Sequence, residues 1–137
     1  MDNELEKKLV DKYPVIFKNR YTNPLTHNMG WGIECGSGWY MIIDCLCESI
    51  QQYVNGVSYT GRIAPVIANQ IKEKYGTLRF YYEGGDEFVD GMVDYAENMS
   101  GHICENCGSP EGKIKSKMGW LKCRCSNCEE KANVRKL

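Results

Sequence analysis

The chain has 137 residues, 42% of them apolar and 26% charged, with a net charge of −1. Such a composition fits one globular domain, with or without a small appendage, and excludes a disordered or collagen-like chain. The longest apolar run, Trp39 to Ile43, falls far short of the ~18–20 residues of a membrane span, and the polar N-terminus carries no secretory pattern, so a cytoplasmic setting is expected.

Residues 3–13 read as a short amphipathic helix, with Leu5, Leu9 and Tyr13 on one side, Asn3 as its cap and Glu6 completing a capping box. Pro14 ends it, and residues 18–30 are polar and loop-like. The glycine-rich stretch Gly30–Gly38 suggests a short strand and a tight turn; it lacks the Gly-Lys-Ser/Thr of a phosphate loop. From Trp39 to Val54 the residues Trp39, Ile42, Ile43, Leu46, Ile50, Tyr53 and Val54 form one helical apolar stripe. Ser37 is the expected cap and Asn55-Gly56 the expected stop. Cys45 and Cys47 border this stripe as small apolar residues.

Pro65–Glu83 carries both helical and alternating spacing. The β-branched and aromatic content of Thr77–Tyr82 favours a hairpin turning near Lys74–Gly76 and closed by Gly84-Gly85. Residues 87–99 read as a second long helix with Phe88, Met92, Tyr95, Ala96 and Met99 on its inner face and Gly101 as its cap. The fold class expected is α+β: a small sheet packed with two main helices over residues 1–101, followed by a zinc-binding module over residues 102–137.

That module rests on two cysteine pairs, Cys104-x₂-Cys107 and Cys125-x₂-Cys128. Clustered cysteines in a reducing compartment are more often metal ligands than disulfides, and two such pairs complete a tetrahedron around one structural zinc ion. Gly108 suits the turn of a zinc knuckle. Lys113–Lys117 and Trp120–Arg124 can pair as a hairpin through Met118-Gly119, and residues 129–136 can form a helix, which together suggest a treble clef; a plain zinc ribbon is the alternative. Cys123 and His102 are less suitable ligands by spacing.

Charge is distributed unevenly. Residues 83–112 carry eight acids and no Lys or Arg, whereas residues 113–137 carry eight Lys/Arg against two acids. Period-two alternation places Lys113, Lys115 and Lys117 on a face of one strand, and Trp120, Lys122 and Arg124 on a face of the other. A basic face with an exposed indole suits nucleic acid; otherwise the lysines are merely solvated and Trp120 packs on the main domain. Glu87, Asp90, Asp94 and Glu97 form an acidic helical stripe, which can pair with the basic hairpin, face water, or engage a basic site on another protein. Asp44 and Glu48 read as an exposed helix face. Nothing in the spacing brings Cys35 and His27 together as a nucleophile and base. Trp31, Glu34, Trp39, Arg79 and Tyr81 are candidates for a nucleotide or small-molecule site.

The segments Glu34-Cys35-Gly36-Ser37-Gly38-Trp39, Lys72-Glu73-Lys74-Tyr75-Gly76-Thr77-Leu78-Arg79-Phe80-Tyr81 and Cys104-x₂-Cys107-Gly108 occur in that order. Over roughly residues 13–130 the chain resembles a family of small proteins from bacteriophages, prophages and bacteria. The resemblance implies a paired-cysteine C-terminal module and a phage or prophage setting, and it supplies no catalytic residue. The function expected is that of an accessory protein that binds a host macromolecule, protein or nucleic acid, to modulate a process such as defence. A nucleotide-binding or enzymatic role of the N-terminal domain is the alternative, and self-association is open.

Overall fold

The structure is a computed structural model that describes residues 1–134. Helix α1 spans Asn3–Lys12, strand β1 Ile33–Glu34, helix α2 Tyr40–Val57, and strands β2 and β3 Ile67–Lys74 and Thr77–Glu83. Helix α3 spans Glu87–Ser100, strands β4 and β5 Lys113–Lys117 and Trp120–Arg124, and helix α4 Ser126–Val134. The architecture is α+β. One sheet has the order β1-β2-β3, with β1 parallel and β3 antiparallel to β2; β4 and β5 form a separate two-stranded ribbon. None of the described helices is long and apolar enough to cross a membrane.

Residues 67–83 are a hairpin, as the aromatic content of β3 implies. Its turn residues Tyr75 and Gly76 both have positive φ, 56° and 84°. That is the backbone of the two-residue turn whose twist matches the strands it joins. Gly84 closes the hairpin because a side chain there would meet the Pro65 carbonyl oxygen at 1.9 Å.

Helix α1 starts one residue earlier than its sequence suggests. Asp2, not Asn3, is the cap, and its carboxylate accepts the Glu4 and Leu5 N–H groups. This frees Glu6 from the expected capping box. Glu6 is buried instead, bound by Arg20 Nε at 2.5 Å and by the Ile33 N–H at 2.9 Å, so it ties α1 to the loop and to β1.

Helix α2 buries Ile42, Ile43, Leu46, Ile50 and Val54 of its predicted stripe, with Cys47 beside them, while Tyr53 is half-buried and donates its hydroxyl to Asp86. Its ends differ from expectation. Ser37 belongs to a 3₁₀ turn and accepts the Asp2 N–H, while Trp39 occupies the cap position without a side-chain capping bond. The helix also runs through Asn55-Gly56. Chain reversal comes at Gly61, whose φ of 67° ends a further 3₁₀ turn. Cys45 is exposed, while Cys47 is in the core.

Helix α3 is rotated from the predicted orientation. Its buried residues are Val89, Val93, Ala96 and Ser100, whereas Phe88, Tyr95 and Met99 are exposed. The cause is the open edge of β3. The Leu78 N–H donates to Ser100 Oγ and the Phe80 N–H to Glu97 Oε2, so α3 must present small and polar residues to the strand. Covering the edge satisfies donors that would otherwise be available to another chain. The larger side chains are displaced toward α2, where Met41, Cys45, Met92, Tyr95 and Met99 line an apolar groove of about 320 Å³.

Candidate metal centre and basic ribbon

Cys104, Cys107, Cys125 and Cys128 converge, with all four sulfurs within 4.8 Å of one another. The Cys107 and Cys125 sulfurs are 3.7 Å apart. A tetrahedron with metal–sulfur bonds of about 2.3 Å has edges of about 3.8 Å, so the Cys107–Cys125 pair already stands at ligand separation. Cys104 and Cys107 lie on a knuckle closed by the Gly108 N–H donating to the Cys104 carbonyl, with Gly108 at φ 80°. Cys125 directly follows β5, and Cys128 sits in the first turn of α4, its N–H pointing at the Cys125 sulfur. Knuckle, hairpin and helix make the treble-clef arrangement; the plain ribbon alternative has no such helix. The remainder of the helix expected to Lys136 lies outside the described residues.

Burial pushes the Cys104 thiol up, but the N–H groups of Cys107, Cys125 and Asn106 around its sulfur overcome this and bring it down to about 7. Burial and the neighbouring sulfurs push Cys128 up to about 12. Four adjacent thiolates need a cation to coexist, and an all-sulfur tetrahedral set suits zinc. Cys123 stands apart, buried in the main core with its thiol donating to the Ile103 carbonyl, and His102 is exposed outside the cluster.

The knuckle is built into the main domain. Glu105 reaches back to the loop before α2: its carbonyl accepts the Gly38 N–H at 2.7 Å and its carboxylate the Gly36 N–H at 2.9 Å. Side chains at Gly36 and Gly38 would meet the Glu105 and Cys104 carbonyl oxygens at 2.3 and 2.2 Å. Trp39, fully buried, donates its indole N–H to the Ile103 carbonyl. The glycines and the tryptophan of Gly36-Ser37-Gly38-Trp39 are thus the socket for the cysteine knuckle. Spacing alone missed this role because the two segments are distant in sequence.

The ribbon register pairs Lys113 with Arg124, Lys115 with Lys122 and Lys117 with Trp120. Directly opposed residues of an antiparallel pair share a face, so all six predicted residues lie on one surface. Its opposite face carries Cys123 into the core and Ile114 toward Gly76 and Gly101. Lys122 pairs with Glu73 at 3.0 Å and Arg124 with Glu129 at 3.5 Å, while Lys117 bonds Asn133. Lys113 and Lys115 have no ion-pair partner among the described residues. Trp120 is 75% exposed, at the edge of a cleft it shares with Glu73, Lys74 and Tyr75 rather than buried against the main domain.

The acidic stripe does not pair with this ribbon; no ion pair joins them among the described residues. Glu97 turns inward to cap β3, and burial raises its carboxyl against the opposing Phe80 N–H and Arg79 charge. Asp90 accepts the Tyr82 hydroxyl, which leaves Glu87 and Asp94 facing water. Of the helix face expected to be exposed, Glu48 faces water but Asp44 is half-buried, its carboxylate accepting from Tyr13 and Lys12.

The small-molecule candidates are divided. Trp39 is core and Trp31 is exposed, in the turn Asn28–Trp31 that lies against β2. Glu34, Lys72 and Arg79 form one cross-strand row, with Tyr81 one position further along the same face. Cys35 is buried, and burial pushes its thiol up to about 12, opposite to an activated nucleophile. Comparison with models of protein families, with curated proteins and with solved structures returned no match.

Proposed function

We propose that this is a phage-type accessory protein that binds a polyanionic host macromolecule through the ribbon face, with one zinc ion holding that face in place. The observation that carries the reading is the register of β4 and β5, which assembles Lys113, Lys115, Lys117, Lys122 and Arg124 with the exposed Trp120 on a single surface. Lys115 directly faces Lys122; Glu73 offsets the charge of Lys122, while Lys115 has no ion-pair partner among the described residues and is left for an anionic ligand. Four protein thiolates complete a tetrahedral sphere, so the ion staples the ribbon and opens no coordination site to a substrate. Sequestering or occluding a host nucleic acid would then modulate a host process such as defence.

Nucleic-acid binding measured against salt tests this. With about four phosphate contacts, log K against log [salt] should fall with a slope of about −3 on a single strand, and Lys115→Ala/Lys117→Ala should flatten it by about 1.4. An unchanged slope and affinity in that variant sink the reading.

A second reading, a nucleotide site on the outer sheet face, is favoured by Arg79, whose Nε is buried with no partner among the described residues. It predicts a ligand-induced rise in Tm within a nucleotide panel that disappears in Arg79→Ala; a flat panel counts against it.

A further inference from the structure

Both hairpins of this protein turn through a large side chain followed by glycine. In β2–β3 the turn is Tyr75-Gly76, with φ 56° and 84°; in β4–β5 it is Met118-Gly119, with φ 52° and 83°. The first position of such a turn is left-handed, and Asn, Asp or Gly fill it with least strain. Here it holds a tyrosine that is 65% exposed and a methionine that is 91% exposed. Neither residue contributes to the core, so the strain has no return in packing. Backbone strain held at an exposed position is a signal of function.

The tertiary fold brings the tyrosine to the ribbon. Tyr75 and Trp120 line one cleft of about 330 Å³, with Glu73 and Lys74 beside Tyr75 and with Gly119 and Leu121 flanking Trp120. Lys74 Nζ lies 5.4 Å from the Tyr75 ring centre. The two Glu73 oxygens are already occupied, one by the Gly76 N–H and the other by Lys122, so the carboxylate is neutralised within the wall. Trp120 also borders a second cleft, of about 400 Å³, with Lys115, Lys117, Lys122 and Arg124. Glu129 lies in that cleft as well, against Arg124. One indole therefore stands between a cleft with a second aromatic ring and a cleft of cations.

We infer that the ribbon is a single-strand reader: an unpaired nucleobase stacks in the cleft between Tyr75 and Trp120 while the flanking phosphates lie along Lys115, Lys117, Lys122 and Arg124. This rests on the ribbon-face function proposed above and names its ligand. Rings need the face of a base, which a duplex keeps stacked and a single strand exposes. An acidic peptide would engage the cations and leave both rings without a partner. A base has a π-face whatever its identity, so the site tolerates sequence, and no residue in the cleft is committed to reading a 2′-hydroxyl.

The test uses the zinc-loaded full chain with fluorescein-labelled oligothymidylate and oligouridylate of about ten nucleotides, a duplex of the same length, and inorganic polyphosphate. Trp31→Phe provides a background in which Trp120 is the exposed indole reporter. Tyr75→Asn replaces the strained residue with the one its turn favours, so it should raise Tm and rule out misfolding as the cause of any loss. The expected result is quenching of Trp120 emission by the single strands and about tenfold weaker single-strand binding in Tyr75→Asn and Trp120→Ala, with polyphosphate affinity unchanged in Tyr75→Asn.

Single-strand affinity unaltered in Tyr75→Asn, or a duplex bound more tightly than the single strands, overturns the stacking cleft. If Lys115→Ala/Lys117→Ala still weakens polyphosphate in that event, the ribbon-face reading stands alone. Failure to bind any of the four probes overturns both.

Discussion

Replacing Gly38 with alanine should show that the metal centre and the main domain fold as one. The added methyl would stand 2.2 Å from the Cys104 carbonyl oxygen and 2.6 Å from both the Glu105 carbonyl carbon and oxygen. These are backbone atoms of the knuckle, so neither side can rotate away. Relieving the clash lengthens or breaks the 2.7 Å bond from the Gly38 N–H to the Glu105 carbonyl. Overpacking of this kind costs about 1–3 kcal/mol and the lost bond about 0.5–1.5, giving roughly 2–4 kcal/mol together. For 137 residues the unfolding entropy is about 0.3 kcal/mol/K, so Tm should fall by about 7–14 °C in calorimetry with saturating zinc. Because the socket supports the folded knuckle, zinc affinity measured by chelator competition should fall as well, since metal binding and folding of the knuckle are linked. A variant with wild-type Tm and wild-type zinc affinity would refute the docked-knuckle argument.

Two other glycines should respond with the opposite sign. Gly56 in α2 and Gly91 in α3 have nothing within 4 Å of an added Cβ, so alanine at either should stabilise by about 0.5–1 kcal/mol through helix propensity, readable as a higher urea midpoint. Glu6→Ala leaves Arg20 and the Ile33 N–H without their acceptor and should cost about 3–5 kcal/mol, whereas Asp11→Ala, which breaks an exposed pair with Lys7, should cost under about 1 kcal/mol; equal urea midpoints for the two would refute the burial argument. Burial and the Asp44 bond raise Tyr13 to about 12, and the Asp86 bond with burial raises Tyr53 to about 12. The folded state holds these protons more tightly than the unfolded state, so their stabilisation is complete below pH 10 and is lost as pH rises toward 12. Phenolate absorbance should show these tyrosines ionising later than the exposed ones; a single transition near 10 for every tyrosine of a still-folded chain would contradict it.

Features set by short-range spacing were legible in the chain. Cys-x₂-Cys places two sulfurs on one knuckle whatever surrounds it, the alternation of β4 and β5 sets which lysines share a face, and the stripe of α2 buries the same residues in any context that covers it. The α+β class and the β2–β3 hairpin followed from the same local patterns. Other features depended on what each element met. Helix α3 has enough apolar residues for two faces, and only the unpaired N–H groups of Leu78 and Phe80 decided that Val89, Val93, Ala96 and Ser100 turn inward. Glu6 looked like a local cap because its buried partners, Arg20 and the Ile33 N–H, are 14 and 27 residues away. The socket of Gly36 and Gly38 is visible only once Glu105 is seated in it. The meeting of Tyr75 with Trp120 joins two turns that no period in the chain connects. Local hydrogen bonding and side-chain periodicity are written in neighbouring residues; the choice among faces, and the pairing of distant groups, belongs to long-range packing.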